Sequence, residues 1–506
     1  MGGLGFAALL IRLPAGAASG LGLSGRARLR AAGLAFDLEP LFAVRRAGMR
    51  GSAAAEWHLA HPRGRVDGAG AWALAHQAVR STPELAGRPD VLVEPDFIQE
   101  WLCESLSVSR AGILAVPDGA FNDQVAALPR VPGRFAWHLD ADYTQLADAR
   151  RRVGAPTGGR IRIAHLDTGY DPGHRTLPAH MALERNFVPG EPPDDARDPF
   201  KEGLLKNPGH GTGTLGILAG SAIAFAGPGY QPFDAAIGGA PEAEVVPVRV
   251  ASSVVQIMTS GIARGIDYAA RLCEDAATRV HVLSMSMGGV ASRAWADAVN
   301  AAYDAGVVLV TAAGNNISAG AFGLPTRFIV HPARFRRVIA ACGVMADRRA
   351  YYGLPVDELQ GNWGPASKMA TVISAFTPNI AWAEIGAPEI VDMSGAGTSS
   401  ATPQVAAAAA LYLQLHAAAL LDEGRYPEPW MRVEAVRHAL FSSADRSADG
   451  GSPDRIGHGV VQASRALDVA PLQASALRKT PEDRAAFAFL SALAGLGDRE
   501  PVGDEM

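Results

Sequence analysis

Residues 161–169 read IRIAHLDTG, a β-type run that ends in an aspartate, a threonine and a glycine. Similar runs follow along the chain and alternate with alanine-rich stretches of helical character. Strands that are apolar over most of their length and separated by helices are typical of a parallel sheet with both faces covered. We therefore predict an α/β fold in which helices pack on both faces of a parallel sheet.

The predicted α/β domain extends over residues 137–469. Its strands are Ile161–Leu166, Val245–Val250, Val280–Met285, Val307–Thr311 and Val338–Val344. Its helices are Gly261–Arg271, Arg293–Ala305 and Ala401–Leu415. Functional groups in such a sheet gather at the carboxyl ends of the strands, so the residues that follow these runs are the candidates for a site.

The rest of the chain divides into three regions. Residues 1–100 mix short β-type runs with helical patterns, which predicts a small α+β domain. Prolines and glycines in residues 101–136 predict a loop-rich connector. The charged, alanine-rich residues 470–506 predict a tail with a surface helix and a frayed end. The predicted elements of the first region are the strands Phe6–Leu13, Phe36–Val44, Glu56–Ala60 and Val91–Glu94 and a helix near Ala71–Val79.

Composition limits the functional classes. The chain has 506 residues, of which 48% are hydrophobic and 19% charged, as in a globular protein with a large core. Its formal net charge of −5 gives no reason to expect a nucleic acid partner. The three cysteines, Cys103, Cys273 and Cys342, lie far apart. We therefore expect buried thiols, with neither a disulfide scaffold nor metal-ligand spacing.

The first residues bear on localisation. The apolar run Phe6–Leu13 contains Arg12, and no lysine or arginine precedes it, which is the reverse of a secretory signal. No uninterrupted apolar run approaches the roughly 20 residues that span a bilayer. We therefore expect a cytoplasmic protein without a membrane partner, with secretion as the alternative.

Two candidate residues have acid–base chemistry. Asp167 ends the run IRIAHLD, where a carboxylate can accept a hydrogen bond from an imidazole and hold its tautomer. His210 begins the sequence HGTG, in which glycines let the ring approach other groups closely. Each has an ordinary alternative. An aspartate before glycine commonly forms a turn or begins a nucleotide site, and a histidine at a helix start is commonly a polar surface residue.

A serine and an asparagine are the other candidates. Ser399 lies in SGAGTSSATP (residues 394–403), before a predicted helix, where a serine is by default an N-cap. The sequence around it is more particular than capping requires, and the adjacent Ser400 can fill the helix-start role. Asn315 follows VVLVTAAG, and its amide either forms a turn or donates to an oxyanion during acyl transfer.

The sequence SMSMGG (residues 284–289) predicts a place for an extended substrate. Its glycines expose backbone with which a peptide can pair as an added strand. The candidate substrate-binding residues are Ser286, Met287, Gly288 and Gly289.

The order Asp167, His210, Asn315, Ser399, with these flanking sequences, resembles the subtilisin family of serine proteases. The matching segments are DTG, HGT, SMGG, AAGN and GTSSATP, and the resemblance covers roughly two-thirds of the chain. It implies a serine endopeptidase in which Ser399 is the nucleophile, His210 the general base and acid, and Asp167 the residue that orients His210. It also implies that Asn315 stabilises the oxyanion, that residues 286–289 line the cleft for a peptide substrate, and that the chemistry requires no cofactor.

Residues 1–100 resemble the prodomain of this family, and VLVEPD (residues 91–96) is similar to its closing strand. The resemblance implies a ferredoxin-like βαββαβ unit that packs on the protease, assists its folding and blocks its cleft until it is cut away. We therefore expect the N-terminal domain to be an intramolecular partner of the protease. A permanent accessory domain is the alternative.

The chain departs from the family pattern in two places. Gly213 stands where the family usually has a histidine, which changes the wall beside His210. Residues 221–236 form an insertion that lacks the carboxylate-rich or asparagine-rich loop of a common calcium site. The sequence therefore does not support a structural calcium ion.

Other functional classes fit less well. A catalytically impaired relative that binds peptides or serves as a scaffold would keep the fold, but all four chemical groups are present here. A nucleotide-binding enzyme would need a Gly-x-Gly-x-x-Gly turn that opens a helix directly after a strand, with a suitably spaced acidic residue, or a P-loop, and the sequence meets neither condition. An esterase of the α/β-hydrolase type would need Gly-x-Ser-x-Gly, whereas Ser399 is followed by Ser400 and Ala401.

Overall fold

The fold comes from a computed structural model that describes residues 5–14, 29–31, 34–42, 55–64, 70–81, 91–100, 128–129, 131–200, 208–226, 229–254, 256–317, 328–354 and 358–485. All structural statements below refer to these residues. Cys103 and most of the predicted connector lie outside them.

The N-terminal unit is an antiparallel sheet with a helix on one face. Its elements are β1 (Gly5–Pro14), β2 (Leu29–Ala31), β3 (Leu34–Pro40), β4 (Ala55–Pro62), α1 (Ala71–Ser81) and β5 (Leu92–Glu100). Strand β1 lies between β5 and β4, and the order continues to β3 and β2. This ferredoxin-like order confirms the predicted small α+β domain.

Two of the predicted strands end four or more residues away from the predicted position. The strand predicted over Phe36–Val44 ends at Pro40, because the chain bends at Leu41 and Phe42. The strand predicted over Val91–Glu94 continues to Glu100, past Pro95. Proline is tolerated at a sheet edge, and the next strand of the sheet pairs with β5 only beyond this position.

The sheet of the N-terminal unit has two apolar faces. Leu9 and Ile11 of β1 pack in one buried cluster with Leu74 of α1. Ala8 and Leu10 of the same strand belong instead to the main core of the molecule. Side chains of a strand alternate between its two faces, so the unit's own helix covers one face and the following unit covers the other.

The second unit is built around a parallel sheet. Its strands are β6 (Arg162–Asp167), β7 (Arg185–Asn186), β8 (Ala222–Phe225), β9 (Phe233–Ala236), β10 (Glu244–Arg249), β11 (Gln256–Met258), β12 (Val282–Met285), β13 (Val308–Ala312), β14 (Asn315–Ile317), β15 (Val338–Val344), β16 (Leu359–Gly361), β17 (Val372–Phe376), β18 (Ile380–Ala383) and β19 (Val391–Gly395). Its α-helices are α2 (Leu146–Val153), α3 (His210–Ala219), α4 (Thr259–Leu272), α5 (Arg293–Asp304), α6 (Ala366–Met369), α7 (Gly397–Leu415), α8 (Ala417–Leu420), α9 (Trp430–Ser443), α10 (Pro453–Ile456) and α11 (Ala463–Ala466). Short 3₁₀ turns lie at Trp137–Leu139, Ala448–Gly451 and Ala474–Ala476.

The main sheet has seven strands in the order β17-β15-β13-β12-β6-β10-β7, and all the neighbouring pairs are parallel. Strand β6 lies inside the sheet, with Ala164 opposite Leu283 of β12 and opposite Val246 of β10. This arrangement confirms the predicted α/β fold. Because the strands are parallel, the residues that follow β6, β12 and β13 meet at one edge of the sheet.

Helix α7 packs against strands β12, β13, β15 and β17, and residues 397–413 are all buried. The five alanines Ala406–Ala410 favour a helix and let it approach the strands closely. The helix begins at Gly397, whereas the sequence predicted a start at Ala401. Ser399 therefore lies in the first turn of the helix and does not precede it.

The two units share a sheet. Residues 256–258 of β11 pair in antiparallel fashion with residues 98–100 of β5. Strand β11 belongs to the second unit in sequence, yet it completes the sheet of the first. The backbone of the N-terminal unit is thus hydrogen-bonded directly to the second unit.

Two carboxylates of β5 lie at the N-termini of α5 and α4. Glu94 accepts hydrogen bonds from the Ser292 hydroxyl (2.6 Å) and from the backbone N–H of Arg293 (3.1 Å). Asp96 accepts one from the backbone N–H of Ser260 (2.9 Å). The first N–H groups of a helix have no partner within the helix, and its dipole favours negative charge there, so both contacts stabilise the interface.

The described part of the C-terminal tail packs on the second unit through Asp483. Residues 470–485 contain no α-helix and one 3₁₀ turn, and Asp483 is buried. Its carboxylate accepts hydrogen bonds from the backbone N–H groups of Arg336 (2.7 Å) and Arg337 (3.0 Å). The rest of the tail lies outside the described residues, so the predicted surface helix and frayed end stay predictions for residues 486–506. Cys273 and Cys342 are buried thiols, as predicted.

Candidate active site

Asp167 is the last residue of β6 and has no exposed surface. Its Oδ1 accepts hydrogen bonds from Nδ1 of His210 (2.7 Å) and from the backbone N–H of Thr168 (2.7 Å). Its Oδ2 accepts one from the Thr214 hydroxyl (3.0 Å). Burial alone would raise the pKa of Asp167, but the neighbouring His210 and the hydrogen bonds outweigh burial and lower it. The ionised carboxylate can therefore stabilise a positive charge on His210.

His210 is the first residue of α3, as the sequence predicted. The helix start fixes the direction of the ring, and the backbone N–H of the next residue, Gly211, donates to the Thr168 hydroxyl (3.0 Å). This contact ties the start of α3 to the end of β6. The imidazole is consequently held by its Nδ1 side against Asp167, which leaves the Nε2 side of the ring to face the other way.

Ser399 is nearly buried and is linked to Ser286, the residue that follows β12. Its hydroxyl donates to the carbonyl of Ser286 (3.1 Å), and the hydroxyl of Ser286 donates to the carbonyl of Ser399 (3.0 Å). In a regular helix the carbonyl of Ser399 would accept from the N–H four residues later, but that residue is Pro403, which has none. Ser286 supplies the missing donor and so fixes the first turn of α7.

Ser400, the residue most easily confused with Ser399, has a different role. Its side chain is fully buried, and its hydroxyl donates to the carbonyl of Ala396 (2.9 Å) within the helix start. A hydroxyl used in this way stabilises local structure. The Ser400 hydroxyl thus bonds within its own helix turn, whereas the Ser399 hydroxyl bonds to a different element, at Ser286.

Asn315 follows β13 and contacts the start of α7. Its Oδ1 accepts hydrogen bonds from the backbone N–H (2.8 Å) and from the hydroxyl (3.2 Å) of Thr398. These bonds fix which end of the amide is oxygen, so the opposite end is the N–H donor that an oxyanion would need. Gly397 makes the approach possible, since it has a φ of 72° and a Cβ there would lie 2.8 Å from Nδ2 of Asn315.

The candidate substrate segment 286–289 is partly used within the protein. The N–H of Gly289 donates to the carbonyl of His331 (2.7 Å), and its carbonyl accepts from the N–H of His331 (2.9 Å). Gln99 of β5 lies against the same glycine, and its Oε1 accepts from the backbone N–H of Val290 (2.8 Å). Gly289 thus anchors the segment to its neighbours, and Met287 is buried in the core.

Trp382 of β18 explains the glycine at position 213. A Cβ on Gly213 would lie 1.9 Å from the indole ring, so the ring fills the space that a side chain would need. The same indole is 5.7 Å from the His210 ring, at an interplanar angle of 67°, and packs beside Gly395 in the strand that leads to Ser399. The wall beside His210 is therefore built by an aromatic residue from a different element.

Sequence reasoning missed Thr214 and His165, which lie behind Asp167. The Thr214 hydroxyl contacts both Oδ2 of Asp167 and Nε2 of His165 (2.9 Å). One signal was present: His165 is a polar residue inside an apolar strand, two residues before Asp167 and hence on the same face of the sheet.

The described residues contain no group of three or more histidine, cysteine, aspartate or glutamate side chains that could hold a metal ion. Among the same residues, no helix is both long and apolar enough to cross a membrane.

Comparison with known proteins agrees with this geometry. Residues 158–459 match the family model of the subtilase family (Peptidase_S8). Subtilisin E of Bacillus subtilis (strain 168) is 29% identical over 262 residues, which cover 51% of this chain and 57% of that protein. Alkaline elastase YaB of Bacillus sp. (strain YaB) is 27% identical over 346 residues, which cover 68% of this chain and 72% of that protein. The match to subtilisin E thus spans little more than half of that relative's length.

Proposed function

This chain belongs to the subtilase family, and from that premise we propose that it is a serine endopeptidase whose catalytic residues are Asp167, His210 and Ser399. The observation that carries the proposal is the buried hydrogen bond of 2.7 Å between Nδ1 of His210 and the ionised carboxylate of Asp167. A carboxylate in this position holds the imidazole in the tautomer in which Nε2 is a base.

In the proposed reaction, Ser399 attacks the carbonyl of a peptide bond while His210 takes the serine proton. His210 then returns the proton to the leaving amine, and Asp167 stabilises the imidazolium that exists between these two steps. Water then attacks the carbonyl of the acyl-enzyme while His210 takes its proton. His210 returns this proton to the oxygen of Ser399 as the acyl group leaves. The N–H donor of Asn315 stabilises the oxyanion of the tetrahedral intermediates. These four groups supply the nucleophile, the base, the orienting carboxylate and the oxyanion donor, so the proposed chemistry needs no cofactor.

A protein or peptide is the proposed substrate, bound in extended form along residues 286–288. We also propose that the N-terminal unit is an intramolecular partner that restricts this cleft. The position of Gln99 supports this, since it contacts Gly289 and Val290 at the end of the candidate substrate segment.

The first prediction tests the nucleophile. Ser399→Ala should abolish peptide hydrolysis and labelling by a fluorophosphonate probe while the protein stays folded, because one hydroxyl is removed from a helix that keeps its other contacts. Mass spectrometry of the probe-treated protein identifies the labelled residue and also reports any self-processing.

Ser400→Ala is the matched control, since it removes a neighbouring hydroxyl of the same helix turn. It should retain labelling. Loss of labelling in Ser400→Ala with retention in Ser399→Ala would refute the assignment. The alternative function is tested with the N-terminal unit removed. If the remaining chain is folded but is neither labelled nor active, the protein is a catalytically impaired relative that binds peptides.

A further inference from the structure

A chain of buried polar groups lies behind Asp167 on the side away from His210. His165 and Thr214 are both buried, with 3% and 0% of their surface exposed. Nε2 of His165 is 2.9 Å from the Thr214 hydroxyl, and that hydroxyl is 3.0 Å from Oδ2 of Asp167. His165 itself is 3.9 Å from the same oxygen. None of these contacts takes part in the reaction proposed above.

The secondary structure accounts for the positions of His165 and Thr214 next to Asp167. His165 and Asp167 are two residues apart on β6 and so lie on one face of the sheet. Thr214 follows His210 by four residues on α3, which puts the two side chains on one face of the helix. One strand and one helix therefore bring a second histidine and a threonine to the same carboxylate that holds His210.

The Thr214 hydroxyl has a single proton and, besides Nε2 of His165, three acceptors within reach. They are Oδ2 of Asp167 (3.0 Å) and the backbone carbonyls of His210 (3.2 Å) and Gly211 (3.3 Å). A threonine in a helix often donates to such carbonyls, which would leave Oδ2 without this bond. The direction of one O–H bond thus decides whether the second oxygen of Asp167 is hydrogen-bonded.

The tautomer of His165 determines that direction, because Nε2 either donates to the Thr214 oxygen or, with the ring proton on Nδ1, accepts the Thr214 proton itself. Burial, opposed by Asp167, lowers the pKa of His165 to about 4, so the ring is neutral at physiological pH and carries one proton. With that proton on Nε2, His165 donates to the Thr214 oxygen, and the hydroxyl proton remains for a further acceptor. A hydrogen bond to an ionised carboxylate is stronger than one to a neutral carbonyl, so the proton goes to Asp167.

We propose that His165, with its ring proton on Nε2, is a positioning residue that acts through Thr214 to hold both oxygens of Asp167 in hydrogen bonds and thereby sets the orientation and basicity of His210. This inference rests on the proposed catalytic roles of Asp167 and His210. Oδ1 receives His210 and Thr168, Oδ2 receives Thr214, and the carboxylate cannot rotate without losing one of these bonds.

The other charged groups near Asp167 have their own partners. Asp198 accepts from the backbone N–H of Gly209 (3.0 Å), next to His210. Arg249 pairs with Glu191 (2.7 Å) and donates to the carbonyl of Thr168. In the strands on either side of β6, the residues in register with His165 are Pro247 and Ser284, neither of which is charged.

The second prediction compares two pairs of variants. Thr214→Val keeps the shape of the side chain and removes the hydroxyl, whereas Thr214→Ser keeps the hydroxyl. His165→Leu removes the N–H donor, whereas His165→Gln keeps one. A carboxylate that loses the donor on Oδ2 becomes more basic and holds the imidazolium proton more tightly. We therefore expect Thr214→Val and His165→Leu to shift the acidic limb of the pH profile of kcat/KM to higher pH.

The expected size is a shift of about half a pH unit or more, with kcat/KM lowered roughly tenfold, as for loss of a hydrogen bond to a buried charge. Thr214→Ser and His165→Gln should stay close to the wild type. If all four variants lower stability alike and leave the limb unmoved, the two residues are structural and the inference is wrong.

A second measurement does not depend on activity. The pKa of His210 can be followed by NMR in the Ser399→Ala protein, with the His210→Gln protein assigning the resonance. Thr214→Val should raise this pKa and Thr214→Ser should not. If Thr214→Val leaves the pKa of His210 unchanged while the wild type is active, the inference alone is overturned. If Thr214→Val shifts this pKa but the folded wild type neither cleaves nor is labelled, the proposed function alone is overturned.

Discussion

Trp382 packs against Gly213 beside His210, and its indole ring leaves no room for a side chain at position 213. An alanine at 213 would place its methyl group 1.9 Å from the indole, so the ring or helix α3 must move. Overpacking of this kind costs roughly 1–3 kcal/mol. The third prediction is that Gly213→Ala lowers the free energy of unfolding in urea by this amount and slows fluorophosphonate labelling of Ser399, because α3 also carries His210.

The matched control is Gly158→Ala, at an exposed loop position where no atom lies within 4 Å of the new Cβ. It should leave stability and labelling unchanged. Equal stability of the two alanine variants would show that the indole moves aside without cost and that Trp382 does not fix the wall beside His210.

Single residues also mark the limit of sequence-based prediction for the site. Asp167, His210, Asn315 and Ser399 stand in flanking sequences particular enough to make them candidates from the sequence alone. His165 could not, because a lone histidine in an apolar strand is commonly a core residue. Only the packing of α3 on β6 brings it to Thr214, and that packing is a tertiary property.

Among the elements, the hairpin of β18 and β19 carries Trp382 and contains a pair of carboxyl groups. Glu384, which is half-buried, shares a hydrogen bond with Asp392, and Ser394 donates to Glu384 (3.4 Å). Burial, followed by the negative charge of Asp392, raises the pKa of Glu384 to about 8. The pair therefore holds one proton at neutral pH, and that proton joins the residues at the base of the hairpin.

The sign of the pH dependence follows from the raised pKa. In the unfolded chain Glu384 titrates near 4.5, so between pH 4.5 and about 8 folding requires it to keep a proton that the unfolded chain has lost. Its contribution to stability is complete below pH 4.5 and is lost as the pH rises through about 8. The fourth prediction is that Glu384→Gln is as stable as wild type at pH 5 and more stable by roughly 1–2 kcal/mol at pH 8.5.

Thermal unfolding at the two pH values measures this difference. Glu389→Gln is the control, since Glu389 lies in the turn of the same hairpin but is exposed and pairs with the surface residue Arg175. Glu389→Gln should have the same effect on stability at pH 5 and at pH 8.5. An equal effect of Glu384→Gln at pH 5 and pH 8.5 would contradict the shared proton.

Element boundaries were harder to predict than element types. The helix after Ser399 was expected from Ala401, because glycine, threonine and serine are weak helix formers. It starts at Gly397, since Thr398 is held by Asn315 and the carbonyl of Ser399 by Ser286. These tertiary contacts override the local preference, and no pattern within the segment could have revealed them.

For the whole molecule, the central question is what the N-terminal unit does to the cleft. The fifth prediction is that residues 1–127, supplied as a separate chain, slow the labelling of residues 128–506 by the fluorophosphonate probe and increase their refolding yield. A large parallel sheet has many contacts between distant residues and folds slowly, so a preformed surface for α4 and α5 should help. The cut at 127 keeps the buried Leu128 and Phe135 with the catalytic unit.

A fragment with Glu94→Gln and Asp96→Asn is the matched control. It keeps the shape of β5 but replaces both carboxylates at the helix N-termini with amides, and we expect it to inhibit roughly tenfold less well. If the unaltered fragment neither slows labelling nor assists refolding, the region is a permanent accessory domain.

The pairing of β5 with β11 has a consequence for the chain while it is being synthesised. Residue 258, the last of β11, is made 158 residues after residue 100, the last of β5. At 5–20 residues per second this is a delay of roughly 10–30 s, during which the nascent N-terminal sheet ends in an unpaired strand. Such an edge invites pairing with other chains on the same polysome.

Glu94, Pro95 and Asp96 lie in this strand, and charges and proline on an edge oppose that pairing. The two carboxylates that stabilise the finished interface thus also protect the unfinished protein from aggregation.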